Sequence, residues 1–465
     1  MRRGAASRTD AGPRGRRSII EAVSDLETRA AAARTTATGR VRTAASSARR
    51  WAGPAGYCLG RAAPALLGYA AVRALGLLVL WVWSAARGTN AYTLLTARWD
   101  ALWYARIAGG GYGYQVRLPN GDVHSDLAFF PLLPLLERLG AALGPLTYAD
   151  AGFLVSQCAS LAAAWGVFAV VDRVAGRRAG VCAVLLWAVV PVGIVQSMAY
   201  SESLFTALAA WSLYCVLTER WAPAGVLALA AGLTRPVGAA VIAAVWAAAL
   251  LSLRYGPHAR ATVGLPEAAR APASDTGPGT LGDGPGTAGD GPGTADGAPS
   301  VLPRVLGMLL APLGAAGYAL WVGHRTGRGP LGYLDVQAGW HNGFDGGYAF
   351  ARFVAGRFTS SPGALAGLGL TAGVALLIWL YVMGVRQRQP LPLLVYSGVL
   401  TVLALCASGY FGSKPRLLLP AFPLLLPLAT ALARLRTRRA AWMVGGCALA
   451  SAVYGAFWLN SSGPP

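Results

Sequence analysis

Apolar runs about as long as a bilayer is thick recur along this chain, and the short stretches between alternate runs are basic. That pairing limits the fold more than any other feature. A hydrocarbon core of about 30 Å takes about 20 residues of helix. In lipid each backbone N–H and C=O must be satisfied within its own segment, so such runs become helices. The candidate spans are residues 65–83, 153–171, 181–198, 204–217, two short helices within 222–253, then 305–322, 364–383, 391–407, 417–432 and 440–459. The expected fold class is therefore an all-α polytopic membrane protein with about eleven transmembrane helices. Only 13% of residues are charged while 55% are hydrophobic, against about 25% charged in an ordinary soluble domain.

Charge sets the orientation. Arg173, Arg177, Arg178, Arg220, Arg254, Arg386, Arg388, Arg434, Arg436, Arg438 and Arg439 mark the loops expected on the cytoplasmic side. The N-terminus is then inside and the C-terminus outside, in the cell membrane. The net charge of +21 is almost all arginine, with Lys414 the only lysine. Basic loops of this kind imply a lipid bilayer as partner and no nucleic acid. The six cysteines fall singly in or beside apolar runs, as helix-packing residues do.

The chain reads as four regions. Residues 1–62 read as a basic, disordered cytoplasmic tail. Residues 63–254 form the N-terminal half of the membrane domain, with a long external loop over 85–151. Residues 255–302 read as a flexible cytoplasmic linker, in which GPGT recurs at Gly277, Gly284 and Gly291. Residues 303–465 form the C-terminal half, with an external loop over 323–362.

The polar chemistry collects in the loops assigned outside. Arg98 to Arg138 holds Trp99, Trp103, Tyr104, Tyr112 and Tyr114 around Asp100, then Asp122, His124 and Asp126 before Phe129-Phe130-Pro131. Interfacial helices are expected over 100–107 and 129–143. Asp100 has two readings. One is a general base taking the proton of a sugar hydroxyl; the other is the N-cap of the helix that starts beside it. Asp122, His124 and Asp126 read as acceptor or metal ligands, or as a solvated turn around Pro119-Asn120-Gly121. Glu202 lines a cavity or caps the span after it. Arg235 breaks an apolar tract, as an anion site beside a helix N-terminus or as the partner of a buried acid. Arg73 faces the bundle or snorkels toward headgroups. Lys414 and Arg416 read as ligands of a lipid phosphate or as snorkelling cations. Gln337, Trp340 and His341 read as glycan contacts.

Trp99-Asp100-Ala101-Leu102-Trp103-Tyr104, Ile107-Ala108, Gly111-Tyr112 and Ala128-Phe129-Phe130-Pro131-Leu132-Leu133-Pro134 together resemble the first external loop of the PIG-V-type mannosyltransferases. Tyr200-Ser201-Glu202-Ser203, Gly232-Leu233-Thr234-Arg235-Pro236 and Lys414-Pro415-Arg416 agree with it. The resemblance implies a GT-C membrane glycosyltransferase. It implies inverting transfer of a mannosyl or other hexosyl group, outside the cytoplasm, from a polyprenyl-phosphate donor to a glycan, glycolipid or protein acceptor. It implies Asp100 as the catalytic carboxylate, and the donor phosphate is then expected to meet Lys414 and Arg416, with Arg235. Trp99, Trp103, Tyr104, Tyr112, Asp126, Glu202, Gln337 and Trp340 are then the expected sugar or acceptor contacts; no nucleotide sugar is implied, no cofactor is expected and no metal site is indicated. The rival reading is a transporter or lipid-carrier flippase, with a mid-membrane site at the broken tract.

Overall fold

The computed structural model describes residues 54–255 and 301–461. Most of the expected tail and linker lies outside the described residues. Where they are described, residues 54–62 are helical, so the first span begins earlier than expected. The chain divides into two compact units between Ala63 and Pro64, and the second, Pro64–Pro465, holds the helical bundle.

The first half runs α1 (Pro54–Ala86), α2 (Ala91–Thr96), α3 (Asp100–Gly110), β1 (Gln115–Arg117), β2 (Val123–Ser125), α4 (Leu132–Ala142), α5 (Tyr148–Ala175), α6 (Arg177–Ala188), α7 (Ser201–Leu217), α8 (Trp221–Gly232) and α9 (Ala239–Tyr255). The second runs α10 (Leu302–Leu310), α11 (Leu313–Thr326), α12 (Gly332–Gly339), α13 (Tyr348–Arg357), α14 (Ser361–Arg386), α15 (Leu391–Leu405), α16 (Lys414–Leu417), α17 (Leu426–Arg434) and α18 (Thr437–Asn460). The fold is all-α apart from the β1–β2 hairpin, whose antiparallel register pairs Val116 with His124.

This is a multi-pass membrane protein. Among the described residues six helices are long and apolar enough to cross a bilayer, and the bent pair Phe411–Leu417 and Phe422–Arg434 makes a seventh. Ser201–Leu217, Trp221–Gly232 and Leu391–Leu405 are apolar but shorter. The expected count of about eleven is not reached by length. The span expected over 181–198 shows why: α6 stops at Ala188 and resumes as a 3-10 turn, Gly193–Ser197. Pro191 lacks the N–H and disfavours helix in the residue before it. Arg73 resolves toward the bundle. It is buried and donates to the carbonyls of Ala188 and Gly193, satisfying the backbone that the α6 break leaves open.

Small residues set the closest helix contacts, as expected where packing rather than water drives association. A Cβ on Gly225 would lie 2.6 Å from the carbonyl oxygen of Gly307, and one on Gly314 would lie 2.0 Å from that of Leu229. These contacts lock α8 against α10 and α11. Gly314→Val is expected to cost about 1–3 kcal/mol by overpacking, read as a lower unfolding temperature in detergent.

Candidate active site

The site is built on the loop between α1 and α5. Trp99 has φ of 50° and ψ of −120°, a conformation rare for a bulky residue. It turns the chain sharply, and α3 begins at the next residue. Asp100 is thus the first residue of α3, not its N-cap, and the helix has no side-chain cap. The guanidinium of Arg98 lies 4.3 Å from the Trp99 ring and donates to the Leu459 carbonyl at 2.9 Å, fixing the turn against α18.

The far end of the loop is tied to α11. The Tyr318 hydroxyl donates to the carbonyls of Leu127 at 3.0 Å and Phe129 at 2.7 Å. Leu127, Phe130, Tyr318, Val322 and Tyr333 form one apolar cluster. The Leu132 N–H donates to the Leu233 carbonyl at 3.0 Å, which joins the loop to the break between α8 and α9.

Four charged side chains, distant in sequence, meet beside the start of α3. Arg416 lies 2.9 Å from Asp100 and 3.2 Å from Glu202, and Arg235 lies 2.5 Å from Glu202. The Glu202 side chain is 1% exposed, those of Arg416 and Arg235 11%, and that of Asp100 25%. Asp100 is therefore the outermost member. The Arg416 guanidinium sits 5.1 Å from the Tyr200 ring. Arg235 reaches the Ser201 hydroxyl at 3.4 Å, and Ser201 meets the Tyr104 hydroxyl at 2.8 Å. Tyr200 and Ser201 were not singled out from sequence, although both flank Glu202 in the Tyr-Ser-Glu-Ser run that was.

Broken helices bring the two arginines in. α8 stops at Gly232, Arg235 is extended, and Pro236 opens a 3-10 turn before α9. Pro415, Pro420 and Pro423 prevent one continuous helix, and the two pieces around the break are bent by 78°. Trp187 and Tyr396 satisfy the carbonyls of Leu419 and Pro420 there, at 2.9 and 3.0 Å.

Several expected contacts find other employment. The Lys414 ammonium donates to the carbonyls of Ala404, Leu405 and Ala407 at 2.9, 3.2 and 2.7 Å. All three of its protons close the C-terminus of α15, and none is left for a phosphate. Glu202 is enclosed by Arg235 and Arg416. Tyr104 is buried against Ser201, and the Tyr112 hydroxyl donates to the Phe129 carbonyl at 2.9 Å. Gln337 bonds to Tyr333, Ala128 and Asn342. Asp126 is fully buried and accepts the N–H groups of Gly113 and Tyr114, each at 2.9 Å. Tyr104, Tyr112, Gln337 and Asp126 thus hold the loop together by their polar groups.

The Asp122, His124 and Asp126 alternation does not converge either. β2 ends at Ser125 and a 3-10 turn begins at Asp126, so Asp126 leaves the strand's face. Asp122 meets His341 at 2.7 Å, and that hydrogen bond holds the Asp122 carboxyl below the usual range. His124 stacks on Trp340 with ring centroids 4.0 Å apart. Among the described residues no three His, Cys, Asp or Glu side chains gather as metal ligands do. Trp340 meets Trp103 edge to face at 5.0 Å, and its indole N–H donates to the Ser125 carbonyl at 3.0 Å. The loops expected outside thus touch one another, by Trp103 with Trp340, Asp100 with Arg416, and Phe344 bridged to Ala407. Tyr410, with φ of 44°, belongs to the same rim. Burial pushes its phenol up, and the Asp100 and Asp122 charges push further.

An apolar cavity of about 710 Å³ opens between α13, α14 and the end of α15, lined among others by Phe350, Val354, Phe358, Val374, Ile378 and Leu405. Phe350 also faces the Lys414 ammonium, 4.8 Å from its ring. The caged lysine therefore marks the junction between this apolar space and the segment that carries Arg416.

One buried acid lies apart from the cluster. Glu137 on α4 is 1% exposed, and its Oε2 has no hydrogen-bond partner. Burial pushes its carboxyl up to about 9. The folded chain keeps a proton that the unfolded chain releases near pH 4. Stability from this source is therefore full below about pH 4 and falls as pH rises toward 9, by about 3 kcal/mol at pH 7. Glu137→Gln is expected to flatten that decline and to raise the unfolding temperature at pH 7 to 9. A variant that keeps the parent's slope would clear Glu137 as its source.

No protein-family model matches the sequence, and no curated protein matches it. Among solved structures the chain is similar to ArnT from Cupriavidus metallidurans bound to undecaprenyl phosphate, with TM-score 0.44 and 15% identity over 79% of this chain and 60% of that one. Apo ArnT gives TM-score 0.45 and 15% identity, over 81% and 61%. The archaeal oligosaccharyltransferase AglB from Archaeoglobus fulgidus, in complex with an inhibitory peptide and a dolichol-phosphate, gives TM-score 0.41 and 12% identity, over 85% and 56%. The chain spans about six tenths of the length of these structures.

Proposed function

We propose that this chain is a GT-C membrane glycosyltransferase of the PIG-V type. It moves a mannosyl or other hexosyl group, with inversion, from a polyprenyl-phosphate donor to a glycan, glycolipid or protein acceptor outside the cytoplasm. The observation that carries the proposal is the position of Asp100, the most exposed member of the charged cluster, on a helix start held by a strained Trp99 and paired with Arg416, which shares Glu202 with Arg235. A carboxylate and two cations share one cluster, the two kinds of group that displacement of a sugar from a phosphate uses. The motif resemblance and the neighbouring apolar cavity, suited to an isoprenoid tail, support the same reading.

The donor phosphate meets Arg416 and Arg235. The acceptor oxygen attacks the sugar C1 from the face opposite the phosphate. The C1–O bond breaks, its electron pair leaves on the phosphate, and the hydroxyl proton passes to Asp100. Fixed cations in a site poor in water stabilise the charge that grows on the leaving group. Lys414 is reassigned from phosphate ligand to helix closure. Trp99, Trp103 and Trp340 keep the sugar-facing role by proposal, since each is partly exposed at the rim.

The test is transfer of labelled mannose from polyprenyl-phosphate mannose to envelope extract by protein purified in detergent. Arg416→Ala is expected to lose at least about a hundredfold in rate, as when one charged stabiliser is removed. No transfer by the parent protein would refute the enzyme and leave the carrier reading. Full activity of the variant would remove Arg416 from the phosphate.

A further inference from the structure

We infer that Arg416 is a latch on the catalytic carboxylate, released by the donor's phosphate, so that the donor binds before Asp100 is free to act. The inference rests on the proposed function and adds an order of events to it.

The Arg416 guanidinium bridges two acids of unlike standing. Glu202 is sealed inside the protein and also holds Arg235. Asp100 lies at the edge, its side chain 25% exposed. One end of the bridge is thus anchored and the other opens to the rim. The contacts with Asp100 and Glu202 are ion pairs by distance, yet the Nε and Nη1 atoms of Arg416 have no aligned hydrogen-bond acceptor. A buried guanidinium with unaligned donors gains strongly from a better-placed anion. A phosphate offers more acceptor oxygens in a geometry that suits its planar fork.

The cluster holds two acids and two arginines, so it is neutral as it stands. Adding a phosphate leaves excess negative charge around Arg416. The least costly adjustment loosens the outer, solvent-reached pair while the sealed Glu202 pairs persist. Asp100 then turns from an arginine partner into a free acceptor for the hydroxyl proton. While the latch is closed, Arg416 and the acceptor hydroxyl compete for the same carboxylate oxygens.

The prediction is a gain of affinity in a dead enzyme. A ligand that must displace an internal partner binds more weakly by the cost of displacement. Asp100→Asn removes that partner, so the full-length variant should bind undecaprenyl phosphate about three- to thirtyfold more tightly than the parent, the loss of one partly exposed internal contact. Asp100→Ser should do the same, which guards against a folding defect peculiar to one side chain. Asp122→Asn removes an equal charge from the same rim without touching Arg416 and should leave the affinity unchanged. Binding is read by calorimetry in detergent, with the unfolding temperature recorded for each variant. Equal or weaker binding by both Asp100 variants overturns the latch while leaving the proposed function standing. Equal tightening by Asp122→Asn overturns it too, by showing a general field effect. Failure of the parent to bind undecaprenyl phosphate overturns the latch and the lipid-phosphate donor together.

Discussion

Asp100→Asn is expected to lower glycosyl transfer by about 10²- to 10⁴-fold, the usual contribution of a positioned base, while the unfolding temperature stays within a few degrees of the parent. Lost activity and retained fold have separate causes. The loss follows from chemistry: an amide keeps the shape of the carboxylate but does not accept the hydroxyl proton. The retained fold follows from geometry. Asp100 is the first residue of α3 and not its cap, so no capping bond is lost. Arg416 keeps Glu202 at 3.2 Å when Asp100 is neutralised, and the pair that is lost is the more exposed one, so water screens the charge left over. Rates measured with purified variant and polyprenyl-phosphate mannose decide the matter. Near-normal turnover would leave Asp100 as a helix residue and nothing more.

Glu202→Ala should produce the largest change in stability, about 3–5 kcal/mol. Its carboxylate is the common partner of Arg235 at 2.5 Å and Arg416 at 3.2 Å, and its side chain is 1% exposed. Removing it leaves Arg235 without its carboxylate and Arg416 with Asp100 alone, both in a poorly hydrated space. The cost of breaking such a pair is mostly that of the charge left behind. Thermal unfolding in detergent measures it. A shift of less than about 1 kcal/mol would mean that water reaches the arginines, and the dry site assumed for transfer would go with it. Activity cannot separate this role from catalysis, since a loosened Arg416 also loses the phosphate. The stability reading is therefore the informative one.

Period and charge carried much of the fold. The interfacial helix expected over 100–107 forms as α3, extended to Gly110, and the helix expected within 129–143 forms as α4. Glu202 and Arg416, read at the ends of apolar spans, and Arg235, read inside one, lie in one cluster with Asp100. The β1–β2 hairpin was missed. Only its turn residues, Pro119-Asn120-Gly121, were legible, because three-residue strands are too short to show alternation.

By itself the sequence determined which segments must be helical and apolar, and which loops carry the acids, arenes and cations. Those are local properties, set by the cost of leaving backbone groups or charges in lipid. Which polar side chain is free and which is spent was decided only by the tertiary structure. Lys414 and Arg416 stand two residues apart and look alike in sequence, yet one closes a helix end on three carbonyls while the other faces Asp100. Asp126 and Asp100 are both acids beside aromatic runs, yet one is sealed by two backbone N–H groups and the other lies open at the rim. A hydrogen-bonding group is claimed by whatever partner the packing places nearest. That partner can lie 361 residues away along the chain, as Arg98 and the Leu459 carbonyl show.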